Sequence, residues 1–245
     1  MRMHYYYISG TSSGIGKAIA TLLLEREDTC VIGISRTCTI EHARYTHVYA
    51  DLSDPNQVAI AAAAFKQNYT EVDALYLINN AGVIDPIQYA QTYAESDIQR
   101  MLQVNLISAI QLISAFLKIP KEACASRVIL SVSSGAATKV IDGWSLYGAA
   151  KAGLDHFSKH VARELELSGD TKTRIFSVAP GVVDTPMQQK IRATNPEAFS
   201  TVNRFLELHD TNQLVDPKII AQKYCTVLDQ PEHFPNVVFS LRDLS

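Results

Sequence analysis

Cysteine is scarce. The four, Cys30, Cys38, Cys124 and Cys225, lie too far apart for a metal knuckle, so neither a zinc module nor a disulfide scaffold is expected. Neither sign of charge dominates: 22 basic residues face 25 acidic ones, a formal net charge of −3. Without a basic stripe or an acidic tail, nucleic-acid binding is not expected. Met1 to Tyr7 has no charged segment leading into an apolar stretch and cleavage site, and no uninterrupted apolar run approaches the length of a membrane span. The expectation is a cytoplasmic protein with no membrane contact. Linkers rich in Gly/Ser or Pro, low-complexity tracts and internal repeats are also missing, so nothing divides the chain. What is present is 47% hydrophobic residues, enough over 245 residues for one substantial core in a single domain.

The apolar residues alternate between two rhythms. Tyr5 to Ser9 reads as a strand ending in Gly10, and Ile15, Ile19, Leu22 and Leu23 then fall at helical spacing up to Glu27. Strands are predicted at Val31–Ile34, His47–Ala50, Ala74–Ile78, Arg127–Val132 and Arg174–Val178. Between them come helices from Asp54-Pro55 to about Asn68, from Asp97 to Leu117 and from Leu146 to Leu167. Strands alternating with helices of this length predict right-handed crossovers and a doubly wound parallel sheet, an α/β Rossmann fold. After Pro180-Gly181 the rhythm changes: Val182 to Asp216 carries two amphipathic stretches before a last helix, Pro217 to Leu228, and a last strand near Val237 to Phe239. That excursion is expected to act as a lid over the substrate.

Ser9-Gly10-Thr11-Ser12-Ser13-Gly14-Ile15-Gly16 falls where the first strand ends and the first helix begins. A helix N-terminus offers unpaired N–H groups and a positive dipole end, and glycines let a pyrophosphate approach the backbone. A dinucleotide is therefore expected at Gly10, Ser12, Ser13, Gly14, Ile15 and Gly16. The residues after the second strand choose the dinucleotide, because a carboxylate there binds the ribose 2′-hydroxyl whereas arginine accommodates a 2′-phosphate. Here they are Ser35-Arg36, with no acidic residue before Glu41, so NADP(H) is expected.

Tyr147 and Lys151, four apart near a helix start, share one face. A free phenol titrates near ~10; a neighbouring ammonium is expected to draw that value down, and the lysine together with a positively charged oxidised nicotinamide ring is expected to bring it toward neutrality. Ser134 closes the run Ser131-Val132-Ser133-Ser134 at the carboxyl end of the fifth strand, where open α/β sheets place their ligands. Its hydroxyl is suited to hydrogen-bond a carbonyl oxygen that is becoming an alkoxide. Ser133 competes for that role, its other reading being a strand-end cap. Any one of these motifs alone is weak: a Tyr-x-x-x-Lys pair recurs by chance on exposed helices, and Gly-rich or Asn-Gly stretches also make plain turns.

Taken in order, the motifs resemble the short-chain dehydrogenase/reductase family, from Tyr5 to the C-terminus, with the glycines spaced G-x-x-x-G-x-G. The resemblance implies a catalytic set of Asn105, Ser134, Tyr147 and Lys151, with Asn105 organising a water chain from the lysine. It also implies cofactor contacts from Asp51-Leu52 (adenine), Asn79-Asn80-Ala81-Gly82 (the cleft) and Pro180-Gly181-Val182-Val183-Asp184-Thr185 (nicotinamide), Val182 and Thr185 lying nearest. A homodimer formed through the two long helices is implied as well.

Within the family the likeness runs to the sepiapterin reductase and benzil reductase group, through Gly143-Trp144-Ser145-Leu146-Tyr147, Asp184-Thr185-Pro186-Met187-Gln188 and Leu214-Val215-Asp216. Trp144 is then expected to wall the substrate site, with Met187 beside it, unless it is a core or rim tryptophan. Sepiapterin reductases resemble one another in an aspartate on the last strand that anchors the pterin, and Ser240 stands there in this chain. A neutral hydroxyl does not replace a carboxylate that accepts two N–H bonds, so the expected substrate is an aromatic or aliphatic vicinal diketone, benzil-like compounds included. Sepiapterin reduction is the alternative, and a non-catalytic NADPH-binding regulator is the alternative outside enzymes. An NAD-linked alcohol dehydrogenase and a ketoacyl reductase are disfavoured, the first by Ser35-Arg36 and the second by the Trp144 region and lid sequence.

Overall fold

The computed structural model describes residues 3–65 and 72–244. Among the described residues seven strands form one sheet: β1 (Met3–Ser9), β2 (Thr29–Ser35), β3 (Tyr45–Tyr49), β4 (Val72–Asn79), β5 (Ser126–Val132), β6 (Thr173–Ala179) and β7 (Val238–Ser240). Their order is β3-β2-β1-β4-β5-β6-β7, and every pairing is parallel. The switch from β1 outward in both directions creates the crevice at the strands' carboxyl ends where such sheets bind ligands.

Because both faces of the sheet are covered, its central strands are apolar throughout and do not alternate. Tyr6 and Tyr7, neighbours in β1, are both fully buried on opposite faces. Tyr6, Ile8, Ile78 and Leu130 pack with Ile19 and Leu23 of α1 (Gly14–Leu24) and Tyr224 of α8 (Pro217–Asp229). On the other face Tyr7, Leu75, Leu77 and Ile129 meet Val58 of α2 (Pro55–Ala63), Leu112 and Phe116 of α4 (Ser108–Leu117) and Leu154 of α5 (Ser145–Leu167). α2 and α8 begin alike, with proline in the first turn after an aspartate cap: Asp54 accepts from the Asn56 N–H at 2.9 Å and Asp216 from the Lys218 N–H at 2.7 Å. The expected end of α2 at Asn68 lies outside the described residues.

The expected helix Asp97–Leu117 departs from prediction in its interior. It runs as α3 (Glu95–Leu102), a π turn at Gln103–Ile107 and then α4. Periodicity counts do not register one wide turn inside an otherwise helical stretch. The whole segment Glu95–Leu117 is also long and apolar enough, by composition, to cross a membrane, though polar residues interrupt it; half of its most apolar window is buried inside the fold, as for a core helix.

The excursion after β6 holds α6 (Pro186–Arg192) and α7 (Val202–Asp210). It is tied down at three places. Val183 bridges to Val215, Lys190 of α6 pairs with Asp85 at 2.7 Å, and the Asp142 carboxylate accepts the Ser200 N–H at 2.8 Å and hydroxyl at 3.1 Å.

Candidate active site

A cavity of about 850 Å³ runs along the carboxyl edge of the sheet from Gly10 and Arg36 to Tyr147 and the α6–α7 excursion. It has the size of a cofactor-plus-substrate cleft. At one end the β1–α1 turn is built for close approach. Gly10 (φ +77°) and Gly14 (φ +57°) take left-handed backbone, and a Cβ on Gly10 would stand 2.9 Å from the Ala81 Cα. A Cβ on Gly16 would collide with the Asn80 side chain and the Gly10 carbonyl. Asn80 needs that space: its Nδ2 donates to the carbonyls of Ser9 (3.0 Å) and Gly10 (3.1 Å), while the Ser9 hydroxyl accepts from the Asn80 and Ala81 N–H groups. The expected Asn80-Ala81-Gly82 turn therefore braces the glycine loop. Ser13, at the N-cap of α1, makes no side-chain cap bond, which leaves the first-turn amides facing the cavity for an anion.

Ser35, buried at the end of β2, donates to the Thr37 carbonyl at 2.9 Å, which points Arg36 outward. Arg36 is 72% exposed and only loosely held, 3.9 Å from Asp51. Burial raises the Asp51 carboxyl, but the Ser53 N–H and hydroxyl, with Arg36 and Arg100, outweigh it and leave the group below its ordinary value. Leu52 beside it is buried in the core. Across the cleft Gly181 (φ +86°) and Val182 lead into Val183, and the Thr185 methyl lies 3.2 Å from where a Gly14 Cβ would be. These residues fit a dinucleotide: a cradle closed to side chains, open amides at a helix N-terminus, and a loosely paired, exposed guanidinium at the far end.

At the other end Ser134 caps a short turn, its hydroxyl accepting the Ala136 N–H at 3.1 Å, and it stands close enough to Tyr147 to act on its phenol. Ser133 points away, donating to Asp155 at 2.6 Å. That separates the two serines the sequence left in competition. Lys151 is buried, its Nζ 5.8 Å from the centre of the Tyr147 ring and donating to the Val132 carbonyl at 2.7 Å. Burial lowers the ammonium to about 8, against the opposing pull of Asp155. Within the chain itself the Tyr147 phenol is raised by burial, with Ser134 acting the other way; the expected lowering is for the lysine and a charged nicotinamide ring together. The reason is desolvation: an apolar wall penalises the phenolate more than the sequence spacing could reveal.

Asn105 sits inside the π turn, buried, and its side chain clasps the chain after β4: Oδ1 accepts the Val83 N–H at 2.9 Å and Nδ2 donates to the Val83 carbonyl at 2.7 Å. Trp144 is 7% exposed: it lines the cavity, and it packs on Phe199 (5.4 Å, stacked), Phe205 (5.4 Å) and the edge of Tyr147 (5.8 Å). Met187 also lines the cavity, as do Ile191, Phe205 and Leu208 from the excursion. Ser240 lines it too, its hydroxyl accepting the Arg242 N–H at 3.2 Å. Sequence reasoning missed three groups. Asp155 shares the Lys151 face one turn on. Asp85 binds Lys190 and Arg100 together. Asp243 joins the cavity wall just after Ser240.

Comparison with known proteins agrees with this geometry. A family model described as short chain dehydrogenase matches residues 5–196. A benzil reductase ((S)-benzoin forming) of Bacillus cereus is 35% identical over 243 residues, covering 95% of this chain and 96% of that one. Sepiapterin reductase of Bos taurus is 27% identical, covering 90% and 88%. The crystal structure of the KRED1-Pglu enzyme superposes with a TM-score of 0.80 at 30% identity, covering 92% of this chain and 94% of the other. Sheet order, glycine turn and matched length lead to one assignment: the chain belongs to the short-chain dehydrogenase/reductase family and is an oxidoreductase of carbonyl and hydroxyl groups that uses a nicotinamide cofactor.

Proposed function

We propose that the chain is an NADPH-dependent carbonyl reductase acting on vicinal diketones of the benzil type, with Tyr147 as general acid. What supports this reading is the place of Tyr147: its phenol, raised by burial, stands beside Ser134 on a cavity that Trp144 and Phe205 also line. When bound, the reduced nicotinamide supplies the hydride that the carbonyl carbon receives. As charge grows on the carbonyl oxygen, Ser134 donates a hydrogen bond to it and Tyr147 transfers its proton, giving the alcohol. A raised phenol suits that role, because it stays protonated at neutral pH and gives up its proton only to a stronger base, the nascent alkoxide. Lys151, still charged below about 8, favours the phenolate left behind. Asn105, through Val83, holds the chain that passes Lys151.

Arg36 supports NADPH over NADH: it follows β2 directly, lines the cavity and has room to fork onto a phosphate. Trp144, Phe205 and Met187 support an aromatic or aliphatic diketone, in line with the relatives named for benzil. Sepiapterin reduction is the second reading, and Asp243 on the cavity wall favours it by offering a carboxylate that Ser240 lacks. A panel of benzil, smaller α-diketones, sepiapterin and simple ketones, assayed with NADPH beside Tyr147→Phe, separates the readings. Diketones should be turned over best, and the variant should lose about 10²- to 10⁴-fold in kcat. Efficient sepiapterin turnover with poor diketone turnover would overturn the substrate class, and an unaffected Tyr147→Phe the mechanism.

A further inference from the structure

The proposed chemistry leaves one buried carboxylate without a role. Asp155 is 7% exposed in α5, one turn beyond Lys151, and its Oδ1 accepts two short bonds at 2.6 Å, from the Ser133 hydroxyl at the end of β5 and from the Ser177 hydroxyl of β6. Bonds of that length mark an ionised acceptor. Lys151 holds the residue before Ser133, through the Val132 carbonyl. Two successive turns of α5 thus grip Val132, the last residue of β5, and Ser133 just after it, and the next residue is Ser134. The neighbouring strand is gripped as well, since Val132 pairs with Val178, the residue after Ser177. A buried carboxylate is costly unless its hydrogen bonds and counter-charge are in place; the two hydroxyls and Lys151 provide them.

We propose that Asp155 is a positioning residue of the active site: its carboxylate locks the end of β5 against α5 so that Ser134 meets Tyr147, and its charge holds a proton on Lys151. The second half rests on the reductase reading above, and the first stands without it. Lys151 lies over the Tyr147 ring and donates to the Val132 carbonyl, and Asp155, one turn on in α5, raises it against the effect of burial. From α8, Tyr224 faces Tyr147 and spends its hydroxyl on the Val178 carbonyl at 2.8 Å. Among the described residues Asp155 is the charged group that acts on Lys151.

Two variants divide the claim. Asp155→Asn keeps an oxygen for both serines and drops the charge, whereas Ser133→Ala with Ser177→Ala keeps the charge and drops the bonds. Lys151 is read directly by NMR of lysine labelled with 13C at Cε, assigned with Lys151→Arg, which needs no substrate. In Asp155→Asn the Lys151 titration should fall by at least about one pH unit. The alkaline limb of kcat/KM, on whichever carbonyl the wild type reduces, should move the same way. In the serine pair the titration should stay while kcat falls roughly tenfold with KM unchanged, as expected for a loss of positioning alone. Lys151 titrating at the wild-type pH in Asp155→Asn would overturn the charge role, and full kcat in the serine pair would overturn the positioning role. A wild type inert toward every carbonyl would defeat the reductase reading instead and leave the NMR result to judge the charge role. Should Asp155→Asn not fold, Asp155→Glu serves in its place: displacing the charge by one methylene should move the Lys151 titration, and an unmoved value refutes the role.

Discussion

Removing the Arg36 guanidinium should change which nicotinamide dinucleotide the protein uses. The side chain is 72% exposed, and Asp51 stands 3.9 Å away as a loose ion pair, so the residue contributes little to the fold and its loss should be read almost wholly in binding. A phosphate at about 4 Å from a guanidinium gains roughly 1 kcal/mol in bulk water and about 4 kcal/mol at the effective dielectric of a protein surface. Charge-assisted hydrogen bonds measured by mutation fall between, at about 1.5–3 kcal/mol. Taking about 1.4 kcal/mol per factor of ten, Arg36→Leu should lower kcat/KM for NADPH by roughly 10- to 100-fold. NADH carries no 2′-phosphate and should be affected by less than about twofold on the same reasoning. Because the site is exposed, the NADPH preference of the wild type should also shrink at high ionic strength, where charges are screened within about 3 Å. The assay is steady-state kinetics with both dinucleotides at two salt concentrations. Equal losses with NADPH and NADH would refute the assignment, because they would make Arg36 a structural residue.

Three further outcomes follow from the geometry. Lys151 is held near 8 by burial, so its proton is present below that pH and lost as pH rises through it; kcat/KM for reduction should be level at neutrality and fall above about 8, and a profile flat to strongly alkaline pH would refute the lysine's role. Gly16→Ala should force Asn80 off the Ser9 and Gly10 carbonyls, costing about 1–3 kcal/mol in denaturant unfolding and most of the NADPH affinity measured by fluorescence. Trp144→Leu should lose the ring contacts to Phe199, Phe205 and Tyr147, destabilise by about 1–3 kcal/mol, and raise KM for benzil more than for a small aliphatic diketone.

The sheet was legible because parallel strands buried on both faces must be written as apolar runs, as Leu75 to Ile78 is, and because each run stops at a turn residue or a cap. The site was legible for a related reason: Gly10, Asn80, Ser134 and Gly181 each follow a strand, and a parallel sheet brings all strand ends to one edge. Side-chain partnerships were not. Asp155 reads in sequence as one more polar residue on a long helix, and only the fold carries Ser133 and Ser177 to it. The direction of the Tyr147 shift also depends on how dry its surroundings are, to which Phe199 and Phe205 contribute from distant stretches of chain.

The π turn at Gln103–Ile107 takes up one residue more than an α turn would. Upstream of it Met101 packs into the cluster around Trp144; downstream Leu112 and Phe116 pack under the sheet. With the same residues wound as plain α-helix, those two faces would be out of phase by about 100°, one residue's rotation. The wide turn is therefore a phase adjuster, and it makes this stretch tolerant of a length change that would scramble an ordinary helix. Shortening it by one residue would keep both packing faces in place and dislodge Asn105 from Val83, so the fold would survive an edit that the active site would not.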